Sequence, residues 1–403
     1  MKILMLSWEF PPCVTGGLGR HVAELAPALA NEGVEVHVMA PHPSPPLPTQ
    51  KWQNNLSIHW VDSAAVDAQA DIYTRASQIG DLMAVAANAL WSEAGGFDLI
   101  HVHDWLVAFA GIALKTAHNR PLIATIHATE QGRWRNQPLP DDLSRRIDSV
   151  EKELSRQACC MIACSHYMVG ELIEQFSLSP DELDMIPNGI NLAKRPRHFA
   201  YHLAEFKAKY VSPEQPLIFS VGRLVYEKGF HVLIGAMPKI LAEYPHAKLL
   251  IAGKGPLRDY LQNIVHHLRI EQRVHFAGFI SDEERDMLFA AANCAVFPSL
   301  YEPFGIVALE AMAHNCPVVV SKVGGFAEVV THKETGTIVY PDNSDSTAWG
   351  VLEVLNKPQA SAEYVANAHQ MIVRQYSWQH IARQTKALYE QKIGRWASGQ
   401  VSR

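Results

Sequence analysis

The stretch from Cys294 to Gly325, CAVFPSLYEPFGIVALEAMAHNCPVVVSKVGG, constrains the fold more than any other part of the chain. An apolar run, CAVFPS, predicts a buried strand, and a polar turn with Glu302, Pro303 and Gly305 follows it. A helical pattern comes next, with Ile306, Leu309 and Ala313 on one face, and then a second buried strand, PVVVS. That order is a strand–helix–strand unit of a parallel sheet, so the turn opens at the sheet's carboxyl edge. Small or apolar residues around Gly305 leave the first helical N–H groups unpaired. With the helix dipole, those groups make a site for an anion such as a phosphate. Glu310 falls about two turns further in, where a carboxylate can accept from a pair of vicinal hydroxyls. Taken singly, Glu302 reads as well as a dipole-complementing charge, and Glu310 as part of a solvated face.

The whole string decides between these readings. E-P-F-G-I-V-x-L-E-A-M, with Gly305 between two glutamates and a Gly-Gly pair at 324–325, closely resembles the nucleotide-sugar signature of retaining glycosyltransferases with two Rossmann-like domains. Glycogen and sucrose synthases belong to that family, and the resemblance runs nearly the full chain. It implies an α/β fold of the GT-B type, two Rossmann-like domains facing across a cleft. The expected division is residues 1–192 on the acceptor side, 193–375 binding the nucleotide sugar, and 376–403 as a helix crossing back.

Length and composition agree. A chain of 403 residues is too long for one ordinary core and suits two domains of about 200 residues each. Hydrophobic content of 48% and charged content of 19% describe a globular protein with ample core. The net charge of −6 gives no general attraction to nucleic acid or an anionic membrane. No segment approaches ~20 uninterrupted apolar residues, so no membrane span is expected. The N-terminus, MKILMLSWEF, reads as a first strand and not a signal peptide. The cysteines at 13, 159, 160, 164, 294 and 316 form no C-x-x-C pair and mostly fall in apolar strands, which predicts reduced thiols and a cytoplasmic location. The 20 histidines are scattered and no H-x-x-x-H helix pair suggests a metal, so neither a metal nor a cofactor is expected. No pattern specifies an oligomeric state.

Along the chain, ILMLSW predicts a strand leading into Glu9 and a glycine-rich turn with Gly16 and Gly17, and a helix from about Arg20 to Asn31. The resemblance likens GGLG to the loop that faces the donor phosphates and the acceptor. Bacterial glycogen synthases carry Lys where this chain has Thr15 and Asp where it has Arg20, two departures from that subgroup. Residues 41–48, PHPSPPLP, predict a stiff proline loop. DLIHVHDW and PLIATIHATEQGR end buried strands in polar residues, the layout of a ligand site. Each histidine there, read alone, is a core residue bonded to backbone. Trp8, Trp105 and Trp134 are candidates to stack on sugar rings, with Trp134 equally a surface aromatic. The basic segment INLAKRPRHFAYH predicts the linker. PLIFSVGRLVYEKG then places Arg223 past a strand end and Lys228 at a helix start, two cations suited to a diphosphate or, alone, a surface charge pair. Lys254, in a Gly-Lys-Gly turn, is a weaker candidate of the same kind. Ser281 with Glu284 predicts a capping box.

Carried onto these positions, the family's roles are as follows. Arg223 and Lys228 neutralise the diphosphate, with backbone groups from Phe304 through Gly305, Ile306 and Val307, and from Gly16 and Gly17, around the donor. Glu310 grips the ribose, Glu302 contacts the transferred hexose, and His127 completes the catalytic set. Glu9, Asp104, Trp105 and Trp134 face the acceptor. The resemblance implies retention through a front-face route in which the leaving phosphate takes the acceptor's proton, and no carboxylate nucleophile of the hydrolase type stands out. With no D-x-D motif, the diphosphate is expected to be held without a metal. The partners are then an ADP- or UDP-hexose, with glucose the expected sugar, and a carbohydrate acceptor. WEFPP with GGLG and HATEQGR points to an α-1,4-glucan. Transfer to a sugar phosphate, lipid-linked sugar or glycoside stays open, as do a nucleotide-sugar epimerase on the same scaffold and a catalytically silent binding protein.

Overall fold

The computed structural model describes residues 1–13, 16–42, 47–191, 199–212 and 214–399. The chain divides into two compact units, one of Met1–Gly189 with Trp378–Arg403, the other of Ile190–Ser377. Each is built on a sheet with helices in the connections. The first sheet comprises β1 (Lys2–Leu6), β2 (Glu35–His42), β3 (Gln50–Gln53), β4 (Leu56–Asp62), β5 (Leu99–His103), β6 (Leu122–Ile126), β7 (Cys160–Ala163) and β8 (Leu183–Met185). The second comprises β9 (Leu217–Val221), β10 (Lys248–Ala252), β11 (Val274–Gly278), β12 (Cys294–Phe297), β13 (Val318–Ser321) and β14 (Thr337–Val339). Among the described residues all pairings between these strands are parallel except β3 with β4. Strands β5, β6, β12 and β13 are buried at every position, as expected where helices cover both faces.

Strand order fixes where a ligand can approach. The first sheet runs β3-β4-β2-β1-β5-β6-β7-β8 and the second β11-β10-β9-β12-β13-β14. In each, the chain winds outward from its first-formed strand in one direction and then returns to continue in the other. The carboxyl ends of β1 and β5, and of β9 and β12, therefore flank the crevices where parallel sheets bind ligands.

The helix Trp378–Ala397 belongs to the first unit, where Trp378, Ile381, Leu388 and Tyr389 join the core of β1 and β2. Arg383 meets Glu32 at 3.0 Å, and the Tyr389 hydroxyl lies 2.6 Å from His101 Nδ1 on β5.

Four features differ from the sequence reading. The first helix spans Gly17–Asn31, so Gly17 lies in its first turn and only Gly16 remains outside as its cap. Strand β3 was not foreseen. A helix at Phe199–Ala208 begins inside the segment read as linker, of which residues 192–198 lie outside the described residues, as do Thr15 and residues 43–46 of the proline loop. The capping box is half formed: Ser281 Oγ accepts from Glu284 N at 3.1 Å, but the Glu284 carboxylate accepts from the Tyr210 hydroxyl at 2.7 Å.

Candidate active site

In the second unit, the turn after β12 and the turn after β9 are built against each other. The backbone N–H groups of Leu300 and Tyr301 donate to the Glu227 carbonyl at 2.7 and 3.3 Å. Gly229, at φ +66°, approaches the Pro298 carbonyl so closely that a Cβ has no room. That close approach delivers Lys228 Nζ to 2.7 Å from Glu302 Oε2, which also accepts from Ser299 Oγ at 3.2 Å. After Glu302 the helix Ile306–Ala313 begins at Gly305, whose φ of +98° lies in the left-handed region. A Cβ there would strike the Phe326 ring. No side chain caps this helix start, so its first N–H groups stay available to an anion.

Glu310 lies inside the same helix and is buried. Arg285, from the helix Asp282–Ala291, brings a guanidinium nitrogen to 3.6 Å from Glu310 Oε1 while bonding Asp282 at 2.9 Å and Asp286 at 2.7 Å. Burial holds the Glu310 carboxyl above the usual range, with Arg285 opposing and Asp286 adding to the shift. The solvated-face reading of Glu310 is therefore excluded, since Glu310, like Glu302, is 8% exposed.

In the first unit, polar side chains gather past β1, β5 and β6. Glu9 Oε2 accepts from the Gly16 N–H at 3.0 Å. Asp104 is buried, at φ +61°, and its Oδ1 accepts from the His127 N–H at 2.6 Å. Burial pushes the Asp104 carboxyl up to about 6 in spite of that bond. His127 Nε2 lies 3.3 Å from His103 Nδ1, and burial pushes His127 down to about 4. Burial holds His21, His101 and His103 well below the usual histidine range, so the group is neutral at pH 7. The N-terminus of the helix Glu130–Arg133 is fixed by Glu151, both of whose carboxylate oxygens accept from Glu130 N at 3.0 Å.

Two switch points, one with a cation beside an open helix N-terminus, have the layout of a sugar-transfer protein, and relatives agree. The family model of glycosyl transferases group 1 matches residues 204–391, and that of glycosyltransferase family 4 matches residues 15–194. An uncharacterized glycosyltransferase of Methanocaldococcus jannaschii is 38% identical over 97% of this chain and 98% of its own length. The chain belongs to this glycosyltransferase family. Glycogen synthase of Mycobacterium tuberculosis is 35% identical over 96% of this chain and 94% of that protein. The solved structure of sucrose-phosphate synthase from Thermosynechococcus elongatus superposes with a TM-score of 0.79 at 25% identity, covering 97% of this chain and 98% of that one. The fold is GT-B, with two parallel-sheet α/β units in one chain.

For a glycosyltransferase of this kind, the structure brings some expected site residues together and separates others. Lys228, Glu302 and Gly305 are one constellation, with Ile306 and Val307 in the first helical turn. The Phe304 ring is buried near Tyr376, so only its backbone is offered to a ligand. Arg223 is exposed and lies 3.5 Å from Glu227. Glu9, Gly16, Asp104 and His127 form a second constellation. Trp105 departs from its expected role: it is 4% exposed in a short 3-10 turn and has no open face for a sugar ring. Trp134 is exposed, its indole N–H donating to Glu130 at 3.2 Å, and Trp8 is half-buried. Among the described residues no helix is long and apolar enough to cross a membrane. Ser299, Glu227 and Arg285 were not foreseen.

Proposed function

We propose that the protein transfers a hexose, with retention and without a required metal, from a nucleotide-diphosphate sugar to a carbohydrate acceptor. The donor is ADP-glucose or UDP-glucose and the acceptor an α-1,4-glucan. The observation that carries this is Lys228 held 2.7 Å from Glu302, in the turn that leads into the uncapped start of the helix Ile306–Ala313. Lys228, Arg223 and the helical N–H groups oppose the charge that grows on the leaving diphosphate, which is catalysis by preorganised electrostatics. These fixed positive groups do at the diphosphate what a divalent cation does elsewhere.

In this reading Glu310 accepts from the ribose hydroxyls, with Arg285 keeping it charged against its burial. Glu302 orients the transferred sugar and, through its ion pair, Lys228. The β-phosphate oxygen takes the acceptor's proton as the glycosidic bond breaks and the new one forms on the same face. His127, neutral at pH 7, offers a hydrogen bond to the sugar, and Asp104 and Glu9 meet the acceptor hydroxyls. The glycogen synthase relative supports the glucan acceptor. A sugar-phosphate acceptor is the second reading, favoured by the likeness to a protein named sucrose-phosphate synthase.

The test is to incubate the protein with ADP- and UDP-glucose, with and without glycogen or a sugar phosphate, and measure the nucleoside diphosphate released. Release that depends on glycogen supports the first reading, and release that depends on the sugar phosphate supports the second. Conversion of the donor with no acceptor present refutes both.

A further inference from the structure

Three imidazoles meet in the first unit although they come from separate elements. His21 belongs to the helix Gly17–Asn31, His103 ends β5, and His127 follows β6. Their ligand-capable nitrogens all lie within 4.8 Å of one another. His103 Nδ1 and His127 Nε2 are 3.3 Å apart, a separation suited to two nitrogens sharing one tetrahedral ion at about 2.0–2.1 Å. His21 Nδ1 donates to Asn188 Oδ1 at 2.6 Å. That bond fixes the tautomer and leaves Nε2 as a bare lone pair, the usual arrangement of a metal-bound histidine and its orienting partner. His21 Nε2 is buried with no hydrogen-bond partner. His21 is 5% exposed and His103 fully buried. Buried acceptors left without a donor are costly and call for an explanation.

We propose that His21, His103 and His127 form a binding site for a zinc-class divalent cation. Three neutral imidazoles select zinc, cobalt, nickel or copper over magnesium or calcium, which prefer oxygen. Three protein ligands leave a fourth position to water. The Asp104 carboxylate, which accepts from the His127 N–H at 2.6 Å, supplies nearby negative charge. Transfer does not use this ion. It occupies His127, the residue assigned above to the sugar, so a loaded site inhibits, and that consequence alone rests on the proposed function.

The test titrates the full-length protein with zinc, and with cobalt for its visible absorption, and reads the zinc coordination by X-ray absorption. One ion per chain with a shell of imidazole nitrogens at about 2.0 Å is expected. His21→Gln and His103→Gln each weaken zinc binding at least ~10-fold, and Asn188→Ala does so by about 10-fold. Replacing the other close histidine pair, His37 and His59, 3.0 Å apart, leaves the affinity unchanged. A zinc shell dominated by oxygen or sulfur overturns the proposal. Unchanged affinity in His21→Gln and His103→Gln, or its loss in the His37 and His59 variant, does the same. If a substitution unfolds the chain, absorption on the unsubstituted protein decides alone. Zinc-loaded protein that transfers sugar at the full rate overturns the role of His127 and leaves the metal site standing. Absence of transfer by metal-free protein overturns the proposed function and also leaves it standing.

Discussion

The lysine at the second switch point separates a structural ion pair from a ligand-binding charge. Lys228 and Glu302 are partly buried, their side chains 24% and 11% exposed. Breaking a fully buried pair by removing one partner costs ~3–5 kcal/mol, whereas an exposed pair contributes ~0–1 kcal/mol. Lys228→Ala lies between and is expected to destabilise the chain by about 2 kcal/mol, since Ser299 still donates to Glu302. Adding Glu302→Gln removes the stranded carboxylate and returns stability to within about 1 kcal/mol of the starting protein. Diphosphate binding behaves differently. If Lys228 neutralises the diphosphate, Lys228→Ala weakens UDP or ADP binding by ~10²-fold, about 2.7 kcal/mol, and the double variant stays equally weak. Urea unfolding gives the first pair of numbers and calorimetric titration the second. A double variant that regains both stability and diphosphate affinity refutes the reasoning, because Lys228 would then serve only Glu302.

Three further outcomes are expected. Glu310→Ala weakens diphosphate binding ~10- to 100-fold through two lost charged hydrogen bonds, whereas Glu302→Ala lowers turnover and leaves that affinity little changed. Titration of both variants with free UDP or ADP checks this, and the reverse pattern would exchange the two roles. Asp104 is raised to about 6 from an ordinary 3.8, so its stabilising contribution is present in full below 3.8 and is lost as pH rises through about 6. Relative to Asp104→Asn, the unsubstituted protein thus loses up to ~3 kcal/mol of stability between pH 4 and 7, and urea unfolding across that range shows a constant difference if the reasoning is wrong. Sugar transfer survives EDTA, and loss on chelation that magnesium or manganese restores contradicts the metal-free assignment.

The α/β alternation was legible because buried parallel strands are short apolar runs bounded by turns, as in CAVF and LIATI. Contacts between distant segments were not. Arg285 reaches Glu310 from the preceding helix, and Lys228 reaches Glu302 across 74 residues, so local periodicity carries no trace of either pairing. The histidine cluster escaped for the same reason. A search for H-x-x-x-H sees one helix face, whereas His21, His103 and His127 meet only after β1, β5 and β6 pair. Trp105 was misread because a tryptophan past a strand end looks alike whether its ring turns outward or, as here, into the core. The start of the first helix was misplaced because glycine suggests a loop. Here Gly17 and Gly19 begin the helix, and Glu9 holds the amide of Gly16 in front of it.

The central claim is that the turn and helix from Glu302 to Glu310, with the turn from Gly222 to Gly229, hold a nucleoside diphosphate. Amide hydrogen exchange with and without saturating UDP or ADP tests it directly, whatever the acceptor. Slowed exchange concentrated in peptides covering 222–229 and 302–310 is the predicted result, strongest at the uncapped N–H groups that follow Gly305. Saturated protein whose exchange in both segments is unchanged, or protected only elsewhere, would contradict it.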